Sequence, residues 1–227
     1  MNNIFKIILL FGFILSLEET LIYDLKFRGL KAGESILSIK SDTTKENSNY
    51  HLVSVIKTNK FLDKIYKIRD RVDVLLNNKD YSIIKVLKKL NQNGKKINFS
   101  SIINYEELTA SSNNKTISLP GKVLDPLGAI YYLRNQDIQI GDKFEFTTYD
   151  NDKLKNLIIV AKGIETISTT IGKFECIVLL PQSKDGKLLK NKGSMKLWLS
   201  NDDYKIPIKI ENRTNIGDMI MKLKKIK

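Results

Sequence analysis

From Leu21 onward the chain alternates apolar and polar residues with a period of two, segment after segment, with short polar turns between the segments. In "TLIYDLKF" the residues Leu21, Tyr23, Leu25 and Phe27 fall on one face. Period two is the signature of a half-buried strand, because successive side chains of a strand point to opposite faces. The pattern recurs in "SILSIK", "HLVSVIK", "YSIIKVLKKL", "KINFSSIINY", "KFEFTTYD", "KLKNLIIVAKGIETIST", "KFECIVLLP", "MKLWLS" and "YKIPIKIE". In "IYKIRDRVDVLL" it sets Ile68, Asp70, Val72 and Val74 opposite Arg69, Arg71 and Asp73. No sequence repeat of fixed period accompanies it, which argues against a propeller or solenoid.

The turns are chemically explicit. Asn93-Gly94 and Asp185-Gly186 are hairpin signals, since both central residues of a type I′ turn need positive φ. Asp150-Asn151-Asp152, Gly141-Asp142 and Asn201-Asp202-Asp203 mark further reversals. Short strands joined by tight turns predict a mainly β protein. Its expected form is an antiparallel meander, as a strongly curved sheet or incompletely closed barrel with one or two short helices.

One stretch breaks the pattern. In "DPLGAIYYLR", Asp125 can cap a helix, Pro126 suits its first position, and Leu127 to Arg134 completes about two turns. Two turns are unstable alone and must dock. This helix is apolar nearly all round, with Leu127, Ile130 and Tyr131 on one stripe and Ala129, Tyr132 and Leu133 on the other. Such a helix is buried on several sides or laid across the mouth of a curved sheet. A second short helical candidate runs from Thr58 to Ile65.

The N-terminus "MNNIFKIILLFGFILSLEET" has a polar start with Lys6, an unbroken apolar run from Ile7 to Leu15, then small and acidic residues. That is the layout of a cleavable signal peptide over residues 1–17, with cleavage expected near Ser16. The run is about half the roughly 20 residues a membrane span requires, so no transmembrane span is expected in the mature chain. Residues 18–227 then read as a single β-rich domain without a linker, exported to the periplasm. The lone Cys176 permits no internal disulfide, so stability rests on an apolar core.

The formal net charge is +13, but the basic residues are spread as single lysines through the strands. Lysines on solvent faces and turns account for such a distribution, and the few aromatics are not interleaved with basic clusters as a nucleic-acid site requires. No nucleic-acid partner is expected.

Catalytic chemistry finds little to work with. The only histidine, His51, lies in an alternating run, and no G-x-S-x-G motif accompanies it. Cys176 reads as a small apolar core residue. One His and one Cys make no usual zinc site, and "DND" at 150–152 lacks the spacing of a calcium loop. Asp70 and Asp73 are the nearest approach to a carboxylate pair. Trp198 sits between Leu197 and Leu199, as a core anchor or a ligand-stacking ring. The expectation is a non-enzyme with no cofactor and no metal.

Read together, "YDLKFRGLKAGE", "FLDKIYKIRDRVD", "DPLGAIYYLR", "GDKFEF", "GKFECIVLLP" and "LWLSNDDYKIPIKIENRTNIGDMIMKL" resemble, in order and spacing, the exported bacterial proteins of the domain of unknown function 3108 family. The tail "LWLSNDDYKIPIKIE" is also similar to the closing strands of periplasmic lipoprotein carriers of the LolA and LolB type. That resemblance implies an incompletely closed antiparallel barrel with helices over an apolar cavity, and it is a likeness of fold. Two functions remain open. One is a carrier that binds a lipid, acyl chain or lipidated protein on the concave face, with Leu127, Ile130, Tyr131, Leu133 and Trp198 as candidate ligand contacts and Asp125 and Pro126 as structural residues. The other is a structural envelope protein whose barrel is filled by its own side chains.

Overall fold

The computed structural model describes residues 18–42, 49–182, 195–214 and 217–227. The leader segment and the Asp185-Gly186 turn lie outside these residues. The first eight strands are β1 (Glu19–Phe27), β2 (Leu30–Asp42), β3 (Asn49–Thr58), β4 (Arg69–Asn77), β5 (Ile83–Gln92), β6 (Lys95–Asn104), β7 (Thr109–Ser112) and β8 (Thr116–Ser118). Helix α1 (Gly128–Arg134) follows, then β9 (Lys143–Asp150), β10 (Lys153–Thr169), β11 (Gly172–Gln182), β12 (Met195–Ser200), β13 (Pro207–Thr214) and β14 (Gly217–Ile226). The helical candidate at Thr58–Ile65 forms only a single 3-10 turn, Leu62–Lys64, because Thr58 still belongs to β3.

All fourteen strands form one antiparallel sheet in the order β8-β7-β6-β5-β4-β3-β2-β1-β14-β13-β12-β11-β10-β9. The chain starts in the middle, meanders out to one edge at β8, crosses through α1 to the opposite edge at β9, and meanders back. The first and last strands therefore pair, with Tyr23 opposite Leu223 and Leu25 opposite Met221. Hairpin chemistry sets the local register. Asn93 and Gly94 have φ of 52° and 85°, and Asn151 and Asp152 have 48° and 60°, the left-handed values that a type I′ turn requires.

The edges β8 and β9 do not pair with each other. The strip Val123–Leu124, between β8 and α1, bridges the opening. Ile83 N, at the start of β5, donates to Val123 O at 3.0 Å. Leu124 N donates to Thr147 O at 3.0 Å, and Tyr149 N donates back to Leu124 O at 2.9 Å, both on β9. Side chains reinforce the bridge. The Tyr149 hydroxyl lies 2.9 Å from Ser101 Oγ on β6, and its ring packs on Phe99 with centroids 6.4 Å apart.

The core is the inward face of this curved sheet. Leu21, Tyr23 and Leu25 of β1, Leu52 of β3, Val74 and Leu76 of β4 and Leu199 of β12 are fully buried there, in one cluster with Ile130 and Tyr131 of α1. Each comes from an alternating run, so the period-two pattern directly supplies the barrel lining.

Close backbone approach decides one glycine. Gly33 of β2 has φ +154°, and a Cβ there would run into the Lys57 carbonyl oxygen and stand 2.8 Å from Thr58 Cα. Gly29 also has positive φ (+79°) but meets nothing within 4 Å. We therefore expect Gly33→Ala to cost about 3 kcal/mol or more in denaturant unfolding, and Gly29→Ala only about 1 kcal/mol of backbone strain. Equal costs would show that β3 moves aside.

Candidate functional site

Helix α1 is held at both ends by polar contacts that its sequence dictates. At its start, Asp125 Oδ1 accepts a hydrogen bond from Leu127 N at 2.8 Å, and Ala129 N donates to Asp125 O at 2.8 Å. The chain thus begins to turn at Asp125, with Pro126 in the turn that precedes the helix proper, where an amide is dispensable. Asp125 is buried, and Lys88 Nζ lies 3.9 Å from its Oδ2 while pairing closely with Asp150. Burial pushes the Asp125 carboxyl above the ordinary carboxylate range, and the nearby Lys88 charge only partly opposes this. Lys88 itself is buried, because period two puts it on the Val86 face of β5, towards the core. Lys88 departs from the solvent-facing placement that generally accounts for the dispersed lysines.

At the other end, Arg134 makes a bidentate ion pair with Glu19 of β1, Nη1 to Oε1 at 2.7 Å and Nη2 to Oε2 at 3.0 Å. Its guanidinium also donates to Tyr204 O and lies 5.0 Å from the Tyr131 ring centre. Cation at the C-terminal turn suits the helix dipole. The Tyr131 hydroxyl is pushed above the ordinary phenol range, first by burial and then by the Glu19 charge.

So anchored, α1 shows two different faces. Ile130 and Tyr131 point into the filled core. Leu127, Ala129 and Leu133 instead form one wall of a slot of about 380 Å³. The facing wall comes from the concave side of the second half of the sheet: Phe146 and Thr148 on β9, Leu157 and Ile159 on β10, Pro181 on β11 and Met195 on β12. Asp150, Lys153 and Lys155 line the end near the β9–β10 turn. The slot's size is at the low end of the roughly 300–1,000 Å³ of small-molecule sites, and its lining is mainly apolar with few polar groups, as such sites require.

Among the residues singled out in the sequence, Leu127 and Leu133 line this slot, with Pro126 beside them, while Ile130 and Tyr131 face away from it. Trp198 lies on the opposite face of β12 from Met195 and Leu197. There its indole N–H donates to Glu165 at 2.8 Å and Lys209 Nζ sits 3.9 Å from the ring centre. Phe146, Leu157 and Met195 were not singled out, since alternation marks a face but not which strands curve over the helix.

Other polar candidates stand elsewhere. His51 Nε2 is 3.2 Å from Asp73 Oδ1, which Arg71 also holds, in a shallower groove of about 450 Å³ on the outer face of β3–β5. Asp70 points to the inner face, held by Asn91 N and Gln92 Nε2, so it does not converge with Asp73. Burial, with the charges of Asp202 and Glu165, pushes the Cys176 thiol up to about 11. Little reactive thiolate forms at neutral pH.

Asp125 yields a pH prediction. A carboxyl with a raised folded-state pKa binds its proton more tightly in the folded protein, so stability falls as pH rises from about 3.9, the unfolded value, to the raised value, and is flat above it. Asp125→Asn keeps the acceptor for Leu127 N and removes this titration. Relative to the variant, the wild type should lose unfolding free energy across that window, measured by denaturant melts at a series of pH values. Parallel curves would show that Asp125 titrates normally.

Comparison with known proteins agrees with the architecture. A solved structure, the β-barrel-like protein of domain of unknown function DUF1849 from Brucella abortus, superposes with a TM-score of 0.59 over 94% of this chain and 98% of that one, at 11% identity. That likeness concerns the fold alone. No curated protein matches the chain. The family model described as "Protein of unknown function (DUF3108)" matches residues 22–224, and with nearly the whole described sheet inside that match, the chain belongs to the DUF3108 family.

Proposed function

We propose that the protein is an exported, non-catalytic carrier that holds one hydrophobic chain in the slot between α1 and the concave face of β9–β12. The observation that carries the reading is the slot itself. A mainly apolar space of about 380 Å³ is walled by Leu127, Ala129 and Leu133 on one side and Phe146, Leu157 and Ile159 on the other. A preformed cleft of that size, mostly apolar with a few polar groups at one end, is the usual form of a small-ligand site. Export rests on the apolar leader in residues 1–17. Among the described residues no His, Ser or Cys lines the slot, which supports the non-catalytic part.

A second reading is a structural envelope protein. It draws on the other face of α1, where Ile130 and Tyr131 fill the barrel against β1–β4 as a plug would. The two readings differ at Ala129, which lines the slot and is otherwise well covered.

Ala129→Leu should fill part of the slot at a stability cost within about 1 kcal/mol and weaken binding of the neutral fluorophore N-phenyl-1-naphthylamine at least about tenfold. No fluorophore binding to the wild type, together with a large loss of stability in the variant, would favour the structural reading. For export, N-terminal sequencing of the protein from its own cells should find a mature chain starting near Leu17 or Glu18. A retained Met1 in an unfractionated cytosolic pool would defeat that part.

A further inference from the structure

We propose that the occupant of the slot is a single-chain amphiphile with an anionic headgroup, its charge held by Lys153 and Lys155 and its tail laid along α1. This rests on the carrier reading and specifies its ligand.

The slot's charged groups are gathered at one end, and its other end is apolar apart from Asn212, opposite Met195. Along β10 the residues that face it are, in order, Lys153, Lys155, Leu157 and Ile159. At about 3.3 Å per residue they span about 20 Å from charge to the deepest apolar contact. The partner strand repeats the gradient in register: Asp150 opposite Lys153, Thr148 opposite Lys155 and Phe146 opposite Leu157. Helix α1 runs the same way. Its N-terminal side adjoins Lys88 and Asp150, and further along Tyr132 packs edge-on against Phe146 with ring centres 5.7 Å apart.

Charge at the polar end is not balanced. Asp150 is taken up by Lys88, which projects from the core side, whereas Lys153 and Lys155 have no ion-pair partner among the described residues and are exposed at the rim. Two unpaired ammonium groups at the mouth of an apolar slot select an anion whose tail enters it. The slot's modest volume fits one chain, so a monoacyl carboxylate or phosphate matches better than a two-chain lipid.

The test uses the folded wild-type chain and displacement of N-phenyl-1-naphthylamine by dodecanoate, dodecyl phosphate, dodecanol and inorganic phosphate, at low salt and mildly alkaline pH, where the acids are ionised. Both anionic chains should displace the fluorophore at about tenfold lower concentration than dodecanol, and this preference should shrink in about 0.5 M salt. In the Lys153→Gln/Lys155→Gln variant the ratio of the dodecanol to the anionic displacement concentration, read within that one protein, should fall to about one; both sites are exposed, so the fold is not at stake. A preference that survives in the variant, or equal binding of dodecanol by the wild type, would overturn the headgroup assignment and leave the carrier reading standing. Inorganic phosphate competing as well as dodecyl phosphate would place a bare anion at the lysines and overturn the amphiphile. If neither fluorophore nor any chain binds, the slot reading itself fails, and the ligand proposal with it.

Discussion

Three backbone hydrogen bonds made by Val123 and Leu124 bear on everything else in the molecule. A sheet of fourteen strands curls, since open twisted sheets rarely exceed about ten strands while staying open, and curling brings its two edges near each other. They do not meet as paired strands. The strip of Val123 and Leu124 joins Ile83, at the start of β5, to Thr147 and Tyr149 on the edge strand β9, which gives the Tyr149 amide of that edge a backbone partner. Because this strip leads directly into Asp125, closing the gap also fixes where α1 enters the barrel. The slot is what remains between a helix placed by that requirement and the concave face of β9–β12.

The ends of α1 are secured by charges taken out of water. A buried ion pair gains little net free energy against its desolvation, but breaking one costs several kcal/mol because the orphaned charge stays behind. Arg134 with Glu19, and Lys88 beside the buried Asp125, therefore specify position more than they add stability. A two-turn helix needs this, since its own hydrogen bonds cannot hold it in one orientation. The consequence is a slot wall that stays put, with Leu127, Ala129 and Leu133 forming a preformed apolar surface.

Strand identity was legible because it depends on neighbours in sequence. The run "KLKNLIIVAKGIETIST" is β10 from end to end, Asn93-Gly94 is the turn its chemistry demands, and "DPLGAIYYLR" contains the single α-helix of the described residues. Strand order was not legible. Nothing local to β1 indicates that its second neighbour is β14, nor to β9 that it lies at an edge, because pairing across some two hundred residues leaves no periodic trace. The slot shares that obscurity. Phe146, Leu157 and Met195 come from three strands, and only the curvature brings them opposite α1. Lys88 had a signal that charge counting hides: it occupies an inward position of an alternating strand, and a lysine there is a buried lysine in need of a carboxylate.

The pairing of β1 with β14 sets the order in which the fold can be made. Thr20 and Lys227 exchange both backbone hydrogen bonds, at 3.0 and 2.9 Å, so the first strand described is completed by the last. As the chain emerges from N- to C-terminus, β1 to β8 can form hairpins with immediate neighbours, but one backbone edge of β1 stays unpaired until β14 appears. Such long-range closure slows folding and leaves an apolar strand edge open to other chains in the interval. A polypeptide built this way withholds its native state until β14 has been delivered to β1.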